Sequence, residues 1–119
     1  MKRIAVAAEK NEVSEHFGLS EDFIYYDTDG EKIIKVERFH NPGHRPSELP
    51  EKIINHGRKI DTVISGRLGN EAAKIFMHDG VEIIIGAKGD IAKTVDSYLH
   101  GSLHSEGEFC DAWTCEFFS

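Results

Sequence analysis

Residues 60–85 read IDTVISGRLGNEAAKIFMHDGVEIII. This stretch begins with a short run rich in β-branched residues, at 60–65, and closes with a mainly apolar run, at 81–85. Between the two runs the apolar residues recur with helical spacing, and Gly80 ends that pattern. A strand, a helix and a strand in this order predict two buried parallel strands joined by a right-handed crossover.

Upstream of this unit, the sequence predicts another buried strand and a hairpin. Residues 4–8 are wholly apolar, which fits a central strand buried on both faces, and residues 9–21 follow as a polar loop. Two strand-like runs, at 23–26 and 33–39, flank a turn at 27–30 that ends in Asp-Gly. The second and third strands are therefore expected to be antiparallel.

Two more helices complete the predicted order. One begins at Ser47 and closes at Gly57, and the other is capped by Asp90 and ends at Gly101. The order is thus βββαβαβα. It predicts an α/β fold with three layers, α/β/α, around a mixed five-stranded sheet.

The carboxyl ends of four predicted strands meet at one edge of this sheet. If the first strand points up, the second points down and the third points up again. The two right-handed crossovers make the fourth and fifth strands parallel to the first. Ligands of open α/β sheets bind at such an edge. The loops expected there are 9–21, 40–46, 66–69 and 86–90.

Composition narrows the class of protein. The 119 residues carry a net charge of −7, which disfavours nucleic acid as a partner. The apolar run at 4–8 is too short for a signal peptide or a membrane span, so we expect a cytoplasmic protein that does not bind membranes.

The sequence has no nucleophile elbow, and the apolar run at 4–8 lacks the carboxylate that a nuclease of this topology needs for its metals. We therefore expect no enzymatic activity.

The last fifteen residues differ from the rest of the chain. Residues 105–119 carry −4, whereas residues 1–104 carry −3, so we predict a domain at 1–104 and an acidic aromatic tail at 105–119. The tail holds both cysteines, Cys110 and Cys115, with four residues between them. They are compatible with simple packing against the aromatic residues, with pairing across a dimer, with a small zinc or redox site, or with a metal shared between subunits. The tail also suggests a regulatory or protein-interaction module.

The histidines divide by their place in the predicted topology. His16, His40 and His44 fall in loops at the carboxyl ends of the strands, where together they could bind a soft or borderline metal. Three others lie near helix ends, where the dipole favours them without any catalytic role. These are His56, His78 and His100.

The loop Gly66-Arg67-Leu68-Gly69 has two interpretations. Its glycines allow a tight turn between a strand and a helix. Its main-chain amides and the Arg67 guanidinium could also hold an anion.

Several short motifs occur together in a characteristic order. They are His16-Phe17-Gly18 with Asp22-Phe23, Asp61-Thr62-Val63-Ile64-Ser65-Gly66 with Gly69-x-x-Ala72, and Gly80-Val81-Glu82-Ile83 with Tyr98, Gly101 and Leu103. With them, residues 3–103 resemble the dinitrogenase iron-molybdenum cofactor biosynthesis family, which includes NifX-like proteins and the C-terminal domain of NifB-like proteins. The resemblance implies a fold similar to ribonuclease H without its catalytic carboxylates. It also implies binding or carriage of iron-molybdenum cofactor or its iron–sulfur precursors.

The leading hypothesis is a non-enzymatic carrier that exchanges such a cluster with donor and acceptor proteins in metallocluster biosynthesis. The resemblance makes His16 the candidate ligand, with Phe17 and Gly18 beside it, and the loop Gly66, Arg67 and Gly69 would hydrogen-bond the cluster. A monomer and a homodimer are both compatible with the sequence.

Overall fold

A computed structural model describes residues 2–41, 49–55, 57, 59–101 and 103. In this part of the chain six strands form one mixed sheet in the order β4-β3-β1-β5-β6, with β2 paired to the end of β1. The strands are β1 (Lys2–Glu9), β2 (Glu12–Val13), β3 (Asp22–Asp29), β4 (Lys32–His40), β5 (Thr62–Ile64) and β6 (Glu82–Ile84). The predicted hairpin is confirmed by the antiparallel pairing of β3 with β4, and both crossovers by the parallel pairs of β5 with β1 and with β6.

Helices cover both faces of the sheet. α1 (Leu49–Ile54) and α2 (Asn70–His78) pack on one face, and α3 (Ile91–Leu99) packs on the other. The predicted three-layer α/β/α architecture is confirmed. The Asp90 carboxylate accepts a hydrogen bond from the Lys93 amide at 3.1 Å, as expected of an N-cap, whereas the predicted cap Ser47 lies outside the described residues.

The central position of β1 explains its composition. Ala5 and Ala7 belong to the core beneath α1 and α2, while Ile4 and Val6 belong to the core beneath α3. Successive side chains of a strand point to opposite faces, so both sets are buried only because helices cover both faces.

The segment 9–21 differs from the predicted polar loop. It contains β2 and a short 3-10 turn at Phe17–Leu19. Val13 pairs with Ala8 of β1, and a two-residue strand is too short to show an alternating pattern in the sequence.

The carboxyl edge of the sheet is the edge at which β1, β4, β5 and β6 end. The loops that follow β1, β5 and β6 meet there, as predicted, and the loop after β4 is described only as far as Asn41. None of the helices in the described ranges is long and apolar enough to cross a membrane.

Candidate functional site

Main-chain hydrogen bonds join the three loops at the carboxyl edge. The Gly66 amide donates to the Ser14 carbonyl at 2.9 Å, and the Gly86 amide donates to the Gly66 carbonyl at 2.8 Å. A third bond runs from the Phe17 amide to the Arg67 carbonyl at 3.1 Å. The loops after β1, β5 and β6 therefore form one rigid surface rather than three separate turns.

His16 lies at the junction of this surface. Its main chain forms an isolated parallel bridge with Arg67. Its carbonyl oxygen accepts hydrogen bonds from the Ser14 hydroxyl at 2.9 Å and from the Ser20 hydroxyl at 3.1 Å. The side chain is half-buried. The backbone of His16 is thus fixed on both sides while part of the imidazole faces solvent.

Phe17 anchors the 3-10 turn in the core. Its ring is fully buried and lies 5.1 Å from the Phe23 ring and 5.5 Å from the Phe76 ring, measured between centroids. The next residue, Gly18, is half-buried, and its carbonyl accepts a hydrogen bond from the Asn41 side chain at 3.3 Å. Phe17 therefore holds the His16 turn in place from below, and Gly18 lies nearer the surface.

Gly66 is a point of close approach between two loops. A Cβ at this position would lie 2.8 Å from the Glu15 Cα, from the Glu15 carbonyl oxygen and from the Ser14 carbonyl oxygen. Because these are backbone atoms, a side chain could be accommodated only by moving the loop. The Gly66 amide is bonded to Ser14, so it does not provide the anion-binding donor that the sequence suggested.

We expect Gly66→Ala to lower the free energy of unfolding by about 1–3 kcal/mol, because the methyl group overpacks the edge. Amide hydrogen exchange should also become faster at Phe17 and Gly86, whose bonds cross this junction. A matched control is Gly80→Ala, since a Cβ there meets nothing within 4 Å and only the positive φ of 73° is strained. Unchanged protection at Phe17 and Gly86 in Gly66→Ala would contradict the close-approach explanation.

The other two residues predicted to bind an anion in the Gly66–Gly69 loop, Arg67 and Gly69, differ in exposure. Gly69 is buried and forms the N-cap of α2. Arg67 is exposed beside His16, and no described side chain forms an ion pair with it. Glu15, on the other side of His16 in the sequence, is also exposed. A cation and a carboxylate therefore flank the His16 position.

His40 lies at the end of β4 with its ring 81% exposed, and its Nδ1 is 3.0 Å from a carboxylate oxygen of Asp22. Asp22 is buried and also binds Arg38. Burial alone would raise the pKa of Asp22, but the hydrogen bonds from Arg38 and His40 lower that pKa below its usual value. His40 is thus a partner of a buried carboxylate.

The three-histidine metal site stays a prediction. Among the described residues no group of three His, Cys, Asp or Glu side chains is close enough to hold a metal ion. The other predicted ligands, His44, Cys110 and Cys115, lie outside the described residues.

The histidines at helix ends have the positions expected of them, where the structure describes them. His78 is the last residue of α2, and His100 follows the last residue of α3. The His100 Nδ1 lies 2.8 Å from the Asp96 carbonyl oxygen, and this hydrogen bond, with the Asp96 and Glu31 carboxylates, raises the pKa of His100. His56 is outside the described residues.

Sequence reasoning missed the polar residues that hold the His16 turn. Besides the two serines that bind the His16 carbonyl, Asn41 donates through its side chain to the Ser20 carbonyl at 2.7 Å. Its main-chain amide donates to the Glu21 carbonyl at 3.1 Å, so the end of β4 is tied to the turn. The sequence signal that could have identified them is the presence of serine and asparagine in a loop, because their side chains readily form hydrogen bonds with nearby backbone groups.

Several solved structures have the same fold as this chain. The apo form of the orange protein of Desulfovibrio gigas is 20% identical, with a TM-score of 0.75 over 90% of this chain and 94% of that one. A Thermotoga protein provisionally described as NifB is 24% identical, with a TM-score of 0.72 over 92% of this chain and 97% of that one. At these identities the likeness concerns the fold alone.

A higher identity occurs with the solved structure of PH0822, at 29%, with a TM-score of 0.80 over 89% of this chain and 96% of that one. No curated protein matches the chain significantly. The family model described as dinitrogenase iron-molybdenum cofactor matches residues 1–101. Since this match spans most of the 119 residues, the chain belongs to the dinitrogenase iron-molybdenum cofactor family.

Proposed function

We propose that this protein is a non-catalytic carrier that binds an anionic iron–sulfur or iron-molybdenum cluster at the carboxyl edge of its sheet. One observation carries the proposal: the backbone of His16 is fixed where three loops join, with its imidazole partly exposed beside the exposed Arg67. The family to which the chain belongs is named for the iron-molybdenum cofactor, which supports this class of cargo.

The chemistry of the two side chains suits such a cargo. A neutral imidazole is a good ligand for iron, and a second interaction that fixes its backbone reduces the entropy lost on binding. Clusters of this kind carry negative charge, which the planar guanidinium of Arg67 can meet with several N–H donors. In this proposal Gly18 leaves room at the surface, Phe17 and Gly66 position the loops, and the buried Gly69 begins α2.

The proposed site needs a ligand and a counter-charge but no acid, base or nucleophile. We therefore propose that the protein transfers a cluster rather than catalysing a reaction. It would act in the cytoplasm, between a protein that assembles the cluster and one that receives it. Because Glu15 and Arg67 beside His16 are exposed, a partner protein could reach a cluster held there.

The test is anaerobic reconstitution followed by measurement of iron, molybdenum and acid-labile sulfide per chain. The wild-type protein should bind iron and sulfide in a fixed ratio, and His16→Ala should reduce the bound amount at least tenfold. His78→Ala is the matched control. This exposed histidine is the last residue of α2, a helix that begins at the carboxyl edge and runs away from it. Arg67→Gln should weaken binding less and reduce its salt dependence.

Two results would contradict the proposal. One is equal cluster binding by the wild-type protein and His16→Ala. The other is loss of binding in Cys110→Ser with His16→Ala unaffected, which would place the site on the tail.

A further inference from the structure

The face of the sheet beneath α3 is only partly covered. A helix with its side chains is about 10 Å wide, and neighbouring strands are about 4.8 Å apart, so one helix covers about two strands. α3 packs against the central strands, and β4 is the outermost strand of the sheet on its side. The opposite face has two helices, α1 and α2.

Three apolar side chains of β4 are exposed as a result. They are Ile33, Ile34 and Val36, with exposed fractions of 44%, 53% and 56%. We refer to these three residues as the β4 patch.

The strand register places the patch on the α3 side. Val36 pairs with Tyr26 and Ile33 with Thr28, and both partners lie on the α3 side of the sheet. The register shifts at this point, which leaves Ile34 without an opposite residue on β3. A cavity of about 300 Å³ between the sheet and α3 adjoins the patch and is lined by Tyr26, Val36 and Ile91.

The chain enters its last segment beside this patch. Leu103 packs against the core beneath α3 and lines a second cavity, of about 670 Å³, together with Thr28 and Gly30 at the β3–β4 turn. Residues 104–119 follow, and they can span about 24 Å as a helix or about 50 Å when extended. β4 is about 30 Å long, so the segment is long enough to cover the patch from its point of departure.

The aromatic side chains of the tail suit the apolar patch. The tail, residues 105–119, has four aromatic residues and a charge of −4, with no Lys or Arg. Of the cations of β4, only Arg38 lies on the patch side, opposite Ile24, and it pairs with Asp22. Lys32 and Lys35 are opposite Asp29 and Asp27 on the other face, so the match between tail and patch is one of apolar side chains.

We infer that the acidic aromatic tail docks on the β4 patch of its own chain. Its aromatic side chains bury Ile33, Ile34 and Val36. The tail then protects an exposed apolar edge strand, which would otherwise be a template for association. This inference is independent of the proposed cluster site, which lies on the loops of the carboxyl edge.

Trp113 makes the inference directly measurable, because it is the one tryptophan of the chain and lies within the tail. In the full-length protein its fluorescence should be shifted to the blue relative to the urea-unfolded chain. Quenching by acrylamide should be at least twofold weaker in the folded protein than in the unfolded one.

Substitutions on the patch provide the decisive comparison. Ile34→Asp and Val36→Asp should shift the Trp113 emission to the red and increase quenching at least twofold, while circular dichroism remains that of the folded protein. Met77→Asp is the matched control, since Met77 is 55% exposed on α2 at the other face, and it should leave Trp113 unchanged.

Three results would overturn the inference. The first is that Trp113 is quenched equally in the folded and unfolded chain. The second is that it is protected but does not respond to Ile34→Asp or Val36→Asp. The third is protection that appears only as sedimentation detects a dimer at rising concentration, which would make a second copy the occupant of the patch.

Discussion

Replacing Arg3 with methionine should lower the free energy of unfolding by about 3–5 kcal/mol, because it leaves a carboxylate without its charge partner in a buried site. The Arg3 side chain is 4% exposed and Asp27 is 13% exposed. The guanidinium reaches both carboxylate oxygens of Asp27 at 3.0 Å and one of Glu37 at 3.1 Å, and it stacks 4.6 Å from the Tyr25 ring. Urea unfolding followed by far-UV circular dichroism measures the loss.

A matched control separates burial from charge. Lys74→Met removes an ion pair of similar type, with Glu71 at 3.9 Å, but both side chains are exposed. Water screens such a pair, so we expect a change below about 1 kcal/mol. The double variant Arg3→Met with Asp27→Asn should recover part of the lost stability. An Arg3→Met effect as small as that of Lys74→Met would show that the buried cluster adds nothing to stability.

Phe17→Ala should lower the free energy of unfolding by about 3–5 kcal/mol, since it leaves a cavity in the core between α2 and the sheet. The ring is fully buried against Phe23 and Phe76. Thermal and urea unfolding both measure this effect. Met77→Ala is the control, because Met77 is 55% exposed on the same helix as Phe76 and should change stability by less than about 0.5 kcal/mol.

Phe17→Leu tests whether this residue affects the proposed cluster site only through the turn it anchors. Leucine keeps most of the apolar volume, so stability should fall less than in Phe17→Ala. Because the ring does not reach the surface, a folded Phe17→Leu protein should keep the wild-type ratio of iron and sulfide per chain. A stable Phe17→Leu variant that loses the cluster would show that Phe17 itself contributes to binding.

Local patterns were sufficient to predict the order of the elements. Residues 4–8 lie within a strand, and the runs at 60–65 and 81–85 each contain one. The turn predicted at 27–30 is shorter than expected, because β3 continues to Asp29 and only Gly30 and Glu31 connect it to β4. Such signals depend on residues close in sequence, since a turn type or an N-cap involves about four residues. The handedness of crossovers then determined which strand ends share an edge.

Only the tertiary structure decided which groups at that edge are committed to other partners. The sequence allowed the Gly66 amide to bind an anion, but Ser14 occupies it, because two loops fifty residues apart approach at that glycine. Likewise, the exposure of Ile33 and Val36 follows from how much of the sheet α3 covers. The sequence by itself therefore determined the strands, the helices and the edge where they end, since these depend on local spacing. Tertiary packing decided the hydrogen-bond partners and the uncovered strand, since both depend on contacts between segments far apart in the chain.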